Sequence, residues 1–118
     1  MKVLIVEDDR MLLKALSLRL TEAGHHVFPA ADGNIACDVI SDQKIELIIC
    51  DMMMPVLSGL TFLSLLKGYF NKGIPVIVMS TLNNAPQLLT KMDLDYIAFF
   101  EKPFIIDELI DLVNKTKI

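Results

Sequence analysis

Five short apolar runs, separated by segments long enough to be helices, limit what this chain can fold into. The runs are Lys2 to Val6, His26 to Ala30, Glu46 to Cys50, Pro75 to Met79 and Ile97 to Phe100. Each is short enough for a strand, and the third is apolar without alternation, which fits a strand buried on both faces. Between them, apolar residues recur at three- and four-residue steps. Leu12, Leu13, Leu16, Leu20 and Ala23 form one such stripe, with Asp8 or Asp9 able to cap its helix and Gly24 ending it. The helices are expected at about Asp9 to Ala23, around Ile35 to Ile40, Leu57 to Tyr69, Ala85 to Met92 and Ile106 to Asn114. Leu60, Leu63, Leu66 and Phe70 mark the buried side of the third, which Asn71 and Gly73 close. Pro29 cannot donate to a ladder, so the second strand belongs at a sheet edge.

Connections of this length join parallel strands by right-handed crossovers. The expected fold is α/β: a three-layer (βα)5 flavodoxin-like sandwich whose five-stranded parallel sheet runs in the order 2-1-3-4-5. With 118 residues the chain suits one domain, and 53% apolar residues supply a core. The net charge of -4, with Lys and Arg scattered, disfavours direct nucleic-acid binding. No run approaches a membrane span and Met1-Lys2 opens no signal peptide, so membrane insertion is not expected and a cytoplasmic location is. Cys37 and Cys50 lack metal-ligand spacing and read as buried thiols.

Polar residues follow four of the five runs. Asp8 and Asp9 follow the first, Asp51 the third, Ser80 the fourth, and Lys102 the fifth after one glutamate. Open α/β sheets place their sites outside the carboxyl ends of the strands. The strand order brings Asp8, Asp9 and Asp51 to neighbouring ends. Each alone reads as a cap or turn former; together, like charges need a cation or a proton. All-oxygen ligands without His or Cys favour Mg²⁺, with Mn²⁺ also suited, over zinc. Asp51, held by a central strand, is the best nucleophile candidate, and its attack on phosphorus would give an acyl phosphate. The Ser80 hydroxyl suits a hydrogen bond to a phosphoryl oxygen. The Lys102 ammonium suits pairing with Asp51 and then with the phosphoryl group; a cis Lys102-Pro103 bond is one option for its backbone.

Val3-Leu4-Ile5-Val6-Glu7-Asp8-Asp9, Asp51-Met52-Met53-Met54-Pro55 with Gly59, Pro75-Val76-Ile77-Val78-Met79-Ser80 and Lys102-Pro103-Phe104 stand in order at normal spacing. This pattern resembles the receiver domains of bacterial two-component response regulators, including the single-domain chemotaxis type, with the receiver covering residues 1–118. The resemblance implies that Asp51 is the phosphoacceptor, served by a histidine kinase or a histidine phosphotransfer protein. It implies Mg²⁺ on Asp8, Asp9, Asp51 and the Met53 carbonyl, with Ser80 and Lys102 on the phosphoryl group. Phe99 matches an aromatic switch position, often tyrosine in the family, which works with Ser80. A target protein would meet the face made by helix four, strand five and helix five. Transfer and slow loss of the phosphoryl group would be self-catalysed, in a protein that is mainly a signalling switch.

Three departures stand out. Thr81 replaces the usual alanine or glycine and is a candidate gate on the route to Asp51. Met53 offers no polar atom to orient water. Asp95-Tyr96 stands where Gly-Ala is common, with Tyr96 either a contact residue or a core filler. A phosphorylation-independent interaction module is the alternative reading. A haloacid-dehalogenase-type hydrolase fits poorly, because Met53 occupies the place of its second aspartate.

Overall fold

The computed structural model describes residues 1–54, 58–70 and 73–116. In chain order the elements are β1 (Lys2–Val6), α1 (Arg10–Glu22), β2 (His26–Ala30), α2 (Gly33–Asp42), β3 (Leu47–Asp51), α3 (Gly59–Gly68), β4 (Val76–Ser80), α4 (Ala85–Lys91), β5 (Ala98–Glu101) and α5 (Ile106–Lys115). All neighbouring strands pair parallel, in the order β2-β1-β3-β4-β5. The expected fold class and strand order are therefore those observed. Pro55, the expected start of helix three at Leu57, and its expected stop at Asn71 lie outside the described residues.

Alternation along the strands divides the core between the two sheet faces. Val3 and Ile5, Leu47 and Ile49, and Ile77 and Met79 pack with Leu16 and Leu20 of α1 and Leu109 and Val113 of α5. Leu4 and Val6, Ile48 and Cys50, and Val76 and Val78 pack on the other face with residues of α2, α3 and α4. Every residue of β3 and β4 is buried. β2 is an edge strand, as Pro29 requires. The His26 N–H donates to the Met1 carbonyl and the Ala30 carbonyl accepts from Glu7, so the outward positions are Val27 and Pro29. Pro29 thus removes an amide from the free edge, where another strand would otherwise add.

Side chains fix the helix starts. Asp9 caps α1 by accepting from Met11 and Leu12, Asp32 caps α2 through Ile35, and Ser58 caps α3 through Thr61. Gly24 follows α1 at φ 96°, a left-handed stop that favours glycine. α3 buries Phe62 completely, a residue outside the expected stripe of Leu60, Leu63, Leu66 and Phe70. The stripe is widened because α3 packs on the sheet and on α2 at once. Tyr96 is half-buried against the core on the α3 and α4 side, while Asp95 is exposed.

Candidate functional site at the carboxyl edge of the sheet

Register sets the site. Val6 pairs with Cys50, so Glu7 arrives beside Asp51; Asp51 pairs with Met79; and Ser80 pairs with Glu101, one residue before Lys102. Period two decides which side chains meet. Glu7 continues the Val3 and Ile5 face, Asp51 the Leu47 and Ile49 face, and Lys102 the Phe100 face, all toward α1 and α5. Ser80 has the opposite parity and follows Val76 and Val78.

The three polar groups on the shared face are bonded. Lys102 Nζ donates to Asp51 Oδ2 at 3.0 Å and also to Glu7 Oε1. The other Asp51 oxygen accepts the Met53 backbone N–H at 3.0 Å. Glu7 Oε2 accepts the Asp9 N–H at 3.1 Å. Glu7 is wholly buried and Asp51 nearly so. The Lys102-Pro103 peptide is cis, and the Lys102 N–H donates to the Ser80 carbonyl at 2.8 Å.

Glu7, Asp8 and Asp51 each offer an oxygen, and these lie within 4.8 Å of one another. The expected trio is Asp8, Asp9 and Asp51, and the carboxylates that the structure brings together differ from it at one position. Asp9 is not in the group, because its carboxylate faces the first turn of α1, where Met11 N–H donates to it at 3.0 Å and Leu12 N–H at 3.4 Å. Glu7 takes its place. The sequence offered two possible caps, and the one that caps is lost to the cluster. The signal for Glu7 was strand parity: it lies two residues after Ile5 and inherits its face.

Burial pushes the Glu7 carboxyl up to about 7, against the lowering pull of the Lys102 bond and the Asp9 amide; the Asp51 charge pushes the same way as burial. Burial alone would pull the Lys102 ammonium down, but its bonds to Glu7 and Asp51 outweigh that, and it titrates above its ordinary value. One ammonium, bonded to Glu7 and Asp51, stands beside three clustered carboxylates, which leaves a surplus of acidic groups. Their donors are all oxygen, the chemistry that hard divalent ions take.

The remaining expected residues lie around this pocket. Ser80 is buried and its hydroxyl accepts the Leu82 N–H at 3.0 Å, forming the turn after β4. Phe99 is half-buried against the α3 and α4 face. Met53 is 53% exposed, whereas its neighbours Met52 and Met54 are buried. Thr81 is exposed and lines an open depression of about 400 Å³ with Asp9, Leu12, Lys102, Phe104 and Ile106.

A family model, the response regulator receiver domain, matches residues 3–114. The chain belongs to that family. It is 31% identical over 114 residues to sporulation initiation phosphotransferase F of Bacillus subtilis, covering 97% of this chain and 91% of that protein. It is 33% identical to response regulator RR06 of Streptococcus pneumoniae over 99% of this chain, and spans about half (52%) of that relative's length. Among solved structures, the receiver domain of Francisella response regulator 1452 superposes with a TM-score of 0.85 at 33% identity, over 96% of this chain and 93% of that one. TrrA of Thermotoga maritima, solved in complex with Mg²⁺-BeF, superposes with a TM-score of 0.81 at 25% identity, over 97% and 96%. Receiver domains of response regulators work with histidine kinases and downstream targets in two-component systems. No helix among the described residues is long and apolar enough to cross a membrane.

Two predictions come from this geometry. The Glu7 carboxyl binds its proton more tightly in the fold than in the unfolded chain. Its contribution to stability is therefore full below pH 4.5 and is lost as the pH rises to about 7. In metal-free buffer, urea unfolding should show a wild-type stability advantage over Glu7→Gln that shrinks across this window; a pH-independent difference would contradict it. Second, Asp8→Ala should abolish Mg²⁺ binding measured by calorimetry. Asp9→Ala should keep it and lose about 1 kcal/mol of stability, the cost of a helix cap. Equal loss of Mg²⁺ affinity in both would restore Asp9 to the cluster.

Proposed function

We propose that this receiver accepts a phosphoryl group on Asp51 from a phosphohistidine of a kinase or phosphotransfer protein, and that the modified form changes partner binding. The observation that carries this reading is the Asp51 carboxylate held between the Lys102 ammonium and the Met53 amide at the edge of the sheet. A carboxylate oxygen attacks phosphorus, the P–N bond of the donor breaks, and its electron pair returns to the imidazole. Lys102 is placed to stay with the phosphoryl oxygens as charge moves onto the acceptor.

Glu7, Asp8 and Asp51 fit a divalent cation by their donor chemistry and their mutual distances. The Met53 carbonyl is the further ligand carried over from the family pattern. The ion, Mg²⁺ by preference, supplies positive charge that offsets the incoming phosphoryl group. The complex of TrrA with Mg²⁺-BeF supports the same assignment here. Ser80 then leaves its turn bond with Leu82 for a phosphoryl oxygen, and Phe99 on the neighbouring strand repacks with it.

The donor docks beside the pocket. Met11 at the start of α1 and Ile105 before α5 are strongly exposed, and they flank the depression that Thr81 and Phe104 line. Exposed apolar side chains of this size around a polar centre suit a protein partner. The target reads the face of α4, β5 and α5, which includes Lys91 and Tyr96.

Labelling by phosphoramidate with Mg²⁺ tests the reading. The wild type should gain one base-labile phosphoryl group and Asp51→Ala none; label retained in the variant would overturn the assignment. In the labelled protein, Met53→Asn should shorten the lifetime of the phosphoryl group, because an amide orders water where a thioether does not. An unchanged lifetime would shift the limit to Thr81.

A further inference from the structure

We infer that Gly59 and Cys50 form a cradle around the Asp51 main-chain carbonyl and act as positioning residues for the acceptor carboxylate. The inference rests on the phosphoacceptor reading and adds residues to it. Gly59 is buried at the first position of α3. A Cβ built there would lie 1.7 Å from the Asp51 carbonyl oxygen, 2.7 Å from its carbon and 2.9 Å from Cys50 Sγ. Among the described residues Gly24 is the one glycine in the left-handed region, so Gly59 meets a demand for space and not for an unusual backbone. Alanine is the better helix former, which makes glycine at this position a local concession to close packing.

The cradle has two further sides. The Cys50 thiol donates to the Asp51 carbonyl with Sγ at 3.4 Å. The Leu60 N–H donates to the Met52 carbonyl at 3.3 Å and ties the start of α3 to the peptide after Asp51. A side chain at residue 59 must displace either α3 or the Asp51 peptide. α3 is fixed by Phe62, Leu63 and Leu66, all buried. Asp51 ends its strand, so its peptide yields more readily. That motion carries the carboxylate away from Lys102 Nζ and the Met53 amide. Misplacement of reacting atoms by about 1 Å costs on the order of a hundredfold in rate.

The test compares Gly59→Ala with Gly68→Ala at the exposed far end of the same helix, where an added Cβ meets nothing within 4 Å. Both are labelled with phosphoramidate and Mg²⁺, and urea midpoints confirm the fold. Gly59→Ala should lower the saturating rate on the order of tenfold to a hundredfold, with little change in the donor concentration for half-saturation. Gly68→Ala should keep the wild-type rate. A folded Gly59→Ala protein with the wild-type rate, or an equal loss in both variants, would overturn the cradle. Should Gly59→Ala not fold, Cys50→Ser and Cys50→Ala decide: the hydroxyl keeps the donor, so the serine variant should label faster, and equal rates would overturn it. Wild-type protein that takes no label would instead refute the phosphoacceptor reading itself.

Discussion

The structure turns on one half-buried ammonium. Lys102, just after β5, holds Glu7, just after β1, and Asp51, the last residue of β3. Two carboxylates this close and this buried repel, and burial alone would neutralise one of them. The lysine makes the pair tolerable and leaves a surplus of negative charge, which Asp8 increases at the rim. A pocket short of positive charge is suited to take a cation. On the proposed reading, Asp51 would keep its ammonium partner as a phosphoryl group arrives.

That arrangement needs a frame whose strand ends do not drift. β3 and β4 are buried on both faces, and their registers with β1 and β5 fix which residues share the edge. The core on the α1 and α5 face lies under the three polar groups, and the core on the other face carries Ser80 and Phe99. The sheet thus separates these residues, with Glu7, Asp51 and Lys102 on one face and Ser80 and Phe99 on the other. Strand alternation alone produces this division.

Much of this was legible before any coordinates. Apolar runs and crossover lengths were enough for a parallel α/β sheet, and the strand order followed from the arrangement that doubly wound sheets commonly take. The polar residues at the ends of β3 and β4 and just after β5 were legible as residues of one sheet edge. The placement of Glu7 beside Asp51 and of Asp9 as the cap was not legible, because adjacent carboxylates compete for two positions. One must satisfy the free amides of α1, and the choice depends on where the helix starts, a boundary that pattern alone locates only within a residue or two. Phe62 escaped the expected stripe for a similar reason: a helix that packs on the sheet and against α2 beside it buries more of its circumference than one stripe predicts. The close approach of Gly59 to Asp51 left no mark beyond the glycine itself, since contact between a helix start and a strand end depends on the path of the loop between them.

Lys102, Glu7 and Asp51 are bonded as one unit. A double-mutant cycle over Lys102→Met and Asp51→Asn, read by urea unfolding in metal-free buffer, tests it most directly. Coupling of about 1 kcal/mol or more is predicted, because each substitution removes the partner that justifies burying the other. Additivity within about 0.5 kcal/mol would contradict the account.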